Sequence, residues 1–153
     1  MDYKQALREQ MEQYYQITAR YRSATVDAMK DARRPGLLKK RDYSGHIARF
    51  AQLKEDIRTL SYKDIQVPEE DAEGQNFLKL FDRSVISFLL LCDENIHFYE
   101  MTDRKQYRNS GITVKDYAEE TAKLQQILGR AVEETGYLEQ AYKEYFAAEP
   151  ADN

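Results

Sequence analysis

The sequence is poor in the residues that break or cross-link a chain. In 153 residues it has one cysteine, three prolines, six glycines and no tryptophan. The single thiol, Cys92, excludes an internal disulfide, and its apolar neighbours predict a small buried side chain. Few prolines and glycines, together with 33% charged residues, favour long amphipathic helices over a sheet of many short strands.

A long apolar run is also missing. The densest one, residues 85–92, contains Ser87 and is flanked by charged residues on both sides. Because a membrane-spanning helix needs about 20 largely apolar residues, the sequence predicts no membrane span. The mean hydropathy is -0.80 and the first residues carry no secretory signal, so we expect a cytoplasmic protein.

Charge is unevenly distributed along the chain, whose net charge is -4. Residues 1–62 carry 13 Lys and Arg against 8 Asp and Glu, whereas residues 63–153 carry 10 against 19. The simplest interpretation is that the first two helices pack against the last two with complementary edges. A first half that binds polyanions is the alternative, but the acidity of the whole chain argues against nucleic acid as a partner.

The apolar pattern predicts a central helix over residues 75–108. Pro68 followed by three acidic residues resembles a helix start, so an alternative start lies near Pro68. The apolar residues of this helix recur every three or four positions, which is the spacing of one helix face. Between residues 85 and 92 apolar side chains occur all round the helix, which predicts a helix that is covered on several sides. The face consists of Leu78, Phe81, Val85, Phe88, Cys92 and Tyr99.

Three further helices are predicted over residues 3–33, 43–60 and 113–146. The first and the last alternate their apolar positions by three and four residues, as the seam of a helical bundle does. Thr113 and Asp116 form a capping-box pattern at the start of the last helix. The inner face predicted for the second helix consists of Ile47, Phe50, Ala51, Ile57 and Leu60.

These elements predict an all-α fold, an antiparallel up-down four-helix bundle with a shorter second helix. Residues 1–146 would form a single domain, and residues 147–153 a frayed acidic tail. The second helix is too short to cover its neighbours, so their uncovered ends must meet a loop, water or another chain. We take this mismatch to favour a homo-oligomer.

Tyrosine provides the main functional hint. Twelve tyrosines are present, several at seam positions, and tyrosine is enriched where one protein binds another. The alternative is a bundle with tyrosines along its rim. The leading hypothesis is an interaction or adaptor protein without catalysis, which binds protein partners through tyrosine-rich helical faces. The residues predicted to do so are Tyr14, Tyr21, Tyr142 and Tyr145.

A basic linker follows the first helix. Lys39, Lys40 and Arg41 could bind an acidic protein partner, a phosphate-bearing ligand or a membrane surface, although a solvated loop is the simpler interpretation. The sequence has no Gly-rich phosphate loop, no Cys-x-x-Cys and no Gly-x-Ser-x-Gly motif, so we predict no cofactor.

Glu94-x-x-His97 on the central helix resembles one of the two Glu-x-x-His motifs of ferritin-like di-iron bundles. Those proteins carry the motif on two helices, whereas the other histidine here, His46, has Tyr43 three positions before it. Helical spacing places His97 with Asp93 and Glu94 on the solvent side. We therefore predict no metal, with a mononuclear site of Asp93, Glu94, His97 and a ligand from another helix as the alternative.

Arg41 and His46, separated by four residues, resemble the motif of all-helical HEPN-type ribonucleases. The resemblance implies that Arg41 would hold the scissile phosphate while His46 moves a proton. A phosphodiester-cleaving bundle is therefore the enzyme alternative to the adaptor hypothesis.

Overall fold

The computed structural model describes residues 2–33, 41–107 and 109–147, and within them the chain is all-helical. Four helices pack against each other, which confirms the predicted all-α four-helix fold. A 3-10 turn, Tyr62–Asp64, lies between the second and third helices. The helices are α1 (Tyr3–Arg33), α2 (Ser44–Arg58), α3 (Ala72–Lys105) and α4 (Val114–Ala147).

The helix ends follow local hydrogen bonding. α1 has the predicted bounds, and the capping box of α4 is present, since the N–H of Thr113 and that of Asp116 each donate to the other's side chain (2.9 and 3.0 Å). α3 begins earlier than residue 75 because Asp71 caps it, accepting the N–H of Gly74 at 3.0 Å. Of the predicted acidic tail, only Ala147 is described, as the last residue of α4.

α3 is the central element. It packs against both α2 and α4, while α2 also packs against α1. Buried side chains of α1, α2 and α3 form most of the core, whereas α4 adds only Ala131, Leu138 and Tyr145 to its apolar part. α3 is therefore covered on several sides but not all round, since Ile86 and Leu90 are 47% and 45% exposed.

The short second helix is completed by the connection that follows it. α2 lies along the second half of α1, where Arg49 pairs with Asp27 at 2.8 Å. Beside the first half of α1 lies the segment after α2, in which the N–H of Ser61 donates to Gln10 Oε1 at 2.7 Å. The ring of Tyr62 in this segment stacks on Phe81 with 4.5 Å between centroids. A loop therefore covers the end that α2 cannot reach.

Buried polar contacts join the helices. Tyr14 Oη and Ser84 Oγ lie 2.8 Å apart, and Ser84 Oγ lies 3.2 Å from Thr135 Oγ1, so a chain of hydroxyls connects α1, α3 and α4. At one end of the fold, the hydroxyls of Tyr3 and Tyr145 both donate to Asp71 Oδ2. This single carboxylate thereby links the start of α1, the end of α4 and the first turn of α3.

Two predicted orientations are wrong. Ala51, assigned to the inner face of α2, is exposed, and Leu53 is buried in its place. Glu94, assigned to the solvent side of α3, is 6% exposed because α4 covers that side. Across the described residues, no helix has both the length and the apolar character needed to cross a bilayer.

Candidate functional site

An apolar cavity lies between α1 and α4, with residues of α3 at its base. Near one end the two helices touch through aromatic contacts, with Tyr15 and Tyr142 ring centroids 6.0 Å apart and the Arg8 guanidinium 4.7 Å from the centre of the Phe146 ring. Beyond these contacts lies a cavity of about 250 Å³, here called the α1/α4 groove. It is lined by Tyr21, Thr25, Met29 and Ala32 of α1, Asn95, Phe98 and Tyr99 of α3, and Tyr117, Thr121, Leu124, Gln125 and Leu128 of α4.

The walls of the groove are incompletely buried. Every residue of α4 from 114 to 130 is half-buried or exposed, although this stretch includes Leu124, Ile127 and Leu128. On α1, Met29 is 39% exposed and the neighbouring Val26 is 51% exposed. Beyond the open stretch of α4, Val132 is 63% exposed. These apolar side chains pack against the protein on one side and are exposed to water on the other, which is unfavourable.

The polar groups of the groove are largely satisfied within the protein. Asn95 Nδ2 donates to Tyr21 Oη at 2.8 Å and to the carbonyl of Leu91 at 2.9 Å. The hydroxyls of Thr25 and Thr121 each donate to the carbonyl four residues earlier in their own helices. Burial raises the pKa of Tyr21 to about 12, so its hydroxyl stays neutral at physiological pH. The groove is therefore suited to an apolar occupant.

The edges of the groove have a basic character. Residues 121–132 of α4 contain no acidic residue, and Arg22 and Lys30 are exposed on α1. Two nearby carboxylates of α1, Asp27 and Asp31, bond to Arg49 and His46 of α2. Lys105 lies at the end of the groove with its Nζ 4.0 Å from the centre of the Tyr117 ring.

The predicted tyrosines occupy different environments. Tyr14 is fully buried, with its ring against Phe81 and Phe88. Its hydroxyl can be buried because it forms a hydrogen bond with the Ser84 hydroxyl. Tyr145 is buried against Phe77 and bonded to Asp71. Neither side chain is available to a partner at the surface of this fold. Tyr21 lines the groove but is only 7% exposed. Tyr142 is half-buried beside Tyr15.

The structure brings Arg41 and His46 together on one carboxylate. Arg41 Nη1 lies 3.3 Å from Asp31 Oδ1, and His46 Nε2 lies 2.5 Å from Asp31 Oδ2. The backbone of Arg41 is fixed by Gln106, which accepts its N–H and donates to its carbonyl, both at 2.7 Å. These contacts join the ends of α1 and α3 to the start of α2. Lys39 and Lys40 lie outside the described residues.

A second polar cluster lies between α3 and α4. Glu94 and His97 of α3 face Glu120 of α4, with His97 Nδ1 3.1 Å from Glu120 Oε2 and 4.0 Å from Glu94 Oε1. Burial and the adjacent Glu120 carboxyl raise the pKa of Glu94, whereas Glu94 and His97 help to lower that of Glu120. Asp93, the other acidic residue predicted here, instead pairs with Lys54 of α2 at 2.5 Å.

Several of these residues were missed by sequence reasoning. Leu124 and Leu128 have seam spacing, but their partial exposure depends on how far α4 lies from α1, which spacing does not encode. Glu120 stands in a pair of adjacent glutamates, and only its position opposite His97 distinguishes it from Glu119. No model of a protein family, no curated protein and no solved structure matches this chain.

Proposed function

We propose that this protein is a single-domain interaction module whose α1/α4 groove binds one apolar, acidic-flanked helix of a partner protein. The observation that carries the proposal is the half of α4, residues 114–130, that has apolar residues but no buried one. A helix laid in a hydrophobic groove is a common mode of peptide recognition. This proposal keeps the predicted class of function and changes the surface that performs it.

The dimensions of the groove suit such an occupant. Its α1 wall runs from Tyr21 to Ala32. At ~1.5 Å per residue this wall is about 16 Å long, which is three helical turns. A partner helix would place two or three apolar side chains along it, spaced by three or four residues.

Charge favours acidic flanks on the partner. Arg22 and Lys30 are exposed on α1, the helix that forms one wall, and residues 121–132 of α4 carry no carboxylate that would repel an acidic side chain. Exposed charges of this kind mainly increase the association rate and exclude partners of the wrong sign. The acidic partner predicted for the basic linker is therefore assigned to this groove instead.

We also propose that the four helices have the predicted up-down-up-down arrangement. Ion pairs between consecutive helices support it, because residue numbers rise along one helix as they fall along the next. Between α1 and α2, Asp27 pairs with Arg49 and Arg20 with Asp56. Between α3 and α4, Arg83 pairs with Glu134 and His97 with Glu120. The ribonuclease alternative, a cytoplasmic location and self-association stay predictions.

The test uses a labelled designed peptide with a leucine face and glutamate flanks, measured by fluorescence anisotropy. We expect saturable binding to the wild-type protein and weaker binding of a peptide with lysine flanks. Met29→Glu places a charge at the lip of the groove. Because burying a Met side chain contributes about 1.5–3 kcal/mol, Met29→Glu should raise the Kd roughly 10- to 100-fold.

Ile86→Glu is the matched control, since Ile86 is an apolar residue of comparable exposure on α3 and does not line the groove. It should leave peptide binding unchanged. Equal binding by all variants, or no binding of either peptide, would overturn the proposal. Native mass spectrometry of the same proteins completes the test. A dimer that Met29→Glu dissociates would assign the groove to a second copy and reject an acidic partner helix.

A further inference from the structure

Glu94, His97 and Glu120 place three metal-binding atoms within 4.8 Å of one another. Glu94 and His97 lie one turn apart on α3, and Glu120 reaches them from α4. Two neighbouring ligands of one ion, each bonded at about 2.0–2.2 Å, lie roughly 2.8–3.6 Å apart in octahedral or tetrahedral geometry. The 3.1 Å distance from His97 Nδ1 to Glu120 Oε2 falls in this range, and the 4.0 Å distance to Glu94 Oε1 exceeds it by about 0.4 Å, which a small side-chain rotation closes.

The buried carboxylate of Glu94 gives an independent indication of a ligand. Its side chain is 7% exposed, and among the described residues its Oε1 atom has no hydrogen-bond partner. Most buried polar atoms in folded proteins have a partner, since leaving one without a partner costs about 1–3 kcal/mol. The unsatisfied oxygen is the one that faces His97, 4.0 Å from its Nδ1.

We propose that Glu94, His97 and Glu120 bind one divalent transition-metal ion, of the zinc class, between α3 and α4. One imidazole nitrogen and two carboxylate oxygens form a donor set that Zn²⁺ accepts, and the two carboxylates balance its charge. The site has three protein ligands, and His97 is 49% exposed, so further coordination positions are open to water. Bound metal would fix the loosely packed half of α4 against α3.

One neighbouring cation must be accommodated. Lys123 Nζ lies 3.4 Å from Glu94 Oε2, the oxygen that the metal does not use. The Lys123 side chain is 55% exposed and has a flexible stem, so it can remain on Oε2 or turn to solvent. Asp93, a charged residue of α3 next to Glu94, is held by Lys54 of α2. Cys92 is buried as a free thiol and does not belong to the donor set.

The experiment is titration of tag-free, chelator-treated protein with Zn²⁺ by calorimetry, with native mass spectrometry for the stoichiometry. We expect one ion per chain in the wild-type protein. Mutation of a residue that only supports a metal ligand typically weakens metal binding about 10- to 100-fold. His97 and Glu120 are proposed as ligands themselves, so His97→Ala and Glu120→Gln should each weaken Zn²⁺ binding at least tenfold. Thermal unfolding should shift upward with Zn²⁺ in the wild-type protein and not in His97→Ala.

Glu119→Gln is the matched control, since Glu119 precedes Glu120 in the chain, is 65% exposed and contacts only Lys115 among the described ion pairs. It should bind Zn²⁺ as the wild-type protein does. Circular dichroism without metal shows whether each variant is folded, and the exposed positions of His97 and Glu119 make folding secure. No binding, or binding that all variants retain equally, would overturn the proposal. Its failure would leave the groove proposal untouched, because the two sites share no residue.

Discussion

Gly74, in the first turn of α3, provides a strong test of the packing described above. A β-carbon at this position would lie 2.6 Å from Tyr145 Oη and would overlap the carboxylate of Asp71. That carboxylate accepts the N–H of Gly74 at 3.0 Å, the hydroxyl of Tyr3 at 2.7 Å and the hydroxyl of Tyr145. Gly74→Ala must therefore displace the residue that links α1, α3 and α4.

The expected loss of stability follows from the three hydrogen bonds that Asp71 accepts and from the difference in helix propensity between alanine and glycine. Hydrogen bonds to a charged group contribute about 1.5 kcal/mol each, and a helix cap about 1 kcal/mol. Alanine is better than glycine in a helix by at most about 1 kcal/mol. Loss of the two tyrosine bonds and the cap outweighs that gain, so Gly74→Ala should lower the free energy of unfolding by about 3 kcal/mol.

Urea denaturation followed by circular dichroism measures this change. With an m-value near 2 kcal/mol/M, the midpoint should fall by roughly 1.5 M. Gly129→Ala is the control, because a β-carbon there meets no atom within 4 Å and α4 is helical on both sides. It should raise stability by about 0.5–1 kcal/mol. If Gly74→Ala is as stable as Gly129→Ala, the contacts of Asp71 do not hold this end of the fold together.

Two further predictions concern hydrogen bonds that are buried or partly buried. Burial opposes ionisation of Asp71, but bonds from Tyr145, Tyr3 and Gly74 hold its pKa below the ordinary 3.8. This contribution to stability is present above the unfolded pKa and is lost as pH falls. The difference in unfolding free energy between the wild-type protein and Asp71→Asn should therefore be constant above about pH 5 and shrink below pH 4. A difference that stays the same below pH 4 would contradict this prediction. Ser84→Ala leaves the Tyr14 hydroxyl buried without its Ser84 partner and should lower the free energy of unfolding by about 1–3 kcal/mol. Tyr14→Phe should lower it less, because Ser84 keeps its contact with Thr135. Urea midpoints in the opposite order would exclude the chain of hydroxyls.

Patterns carried within one helix were predictable from the sequence. The heptad alternation over residues 3–33 predicted α1, and the Thr113–Asp116 capping box predicted the start of α4. Both depend on residues that are close in the chain. The start of α3 lies between the two predicted starts, residue 75 and Pro68, because the cap is Asp71.

Features that depend on contacts between distant segments were not predictable. Tyr14 can be buried only because Ser84, 70 positions away, meets its hydroxyl. The solvent side assigned to Glu94 is the side that α4 covers, and periodicity within α3 does not show where α4 lies. Of the candidate metal ligands, Glu94 and His97 could be named from their spacing. Glu120 could not, because it is one of many glutamates until the helices are placed together.

The meeting of Tyr3 and Tyr145 on Asp71 has a consequence for the path of the chain. Two residues separated by almost the whole described sequence donate to the same oxygen atom, so the polypeptide enters and leaves the bundle at one point. A short linker from one end to the other should permit a circular permutant with new termini in the connection before α4. Within a longer polypeptide, the same geometry would let the bundle be inserted into a surface loop of a host domain, with both junctions side by side.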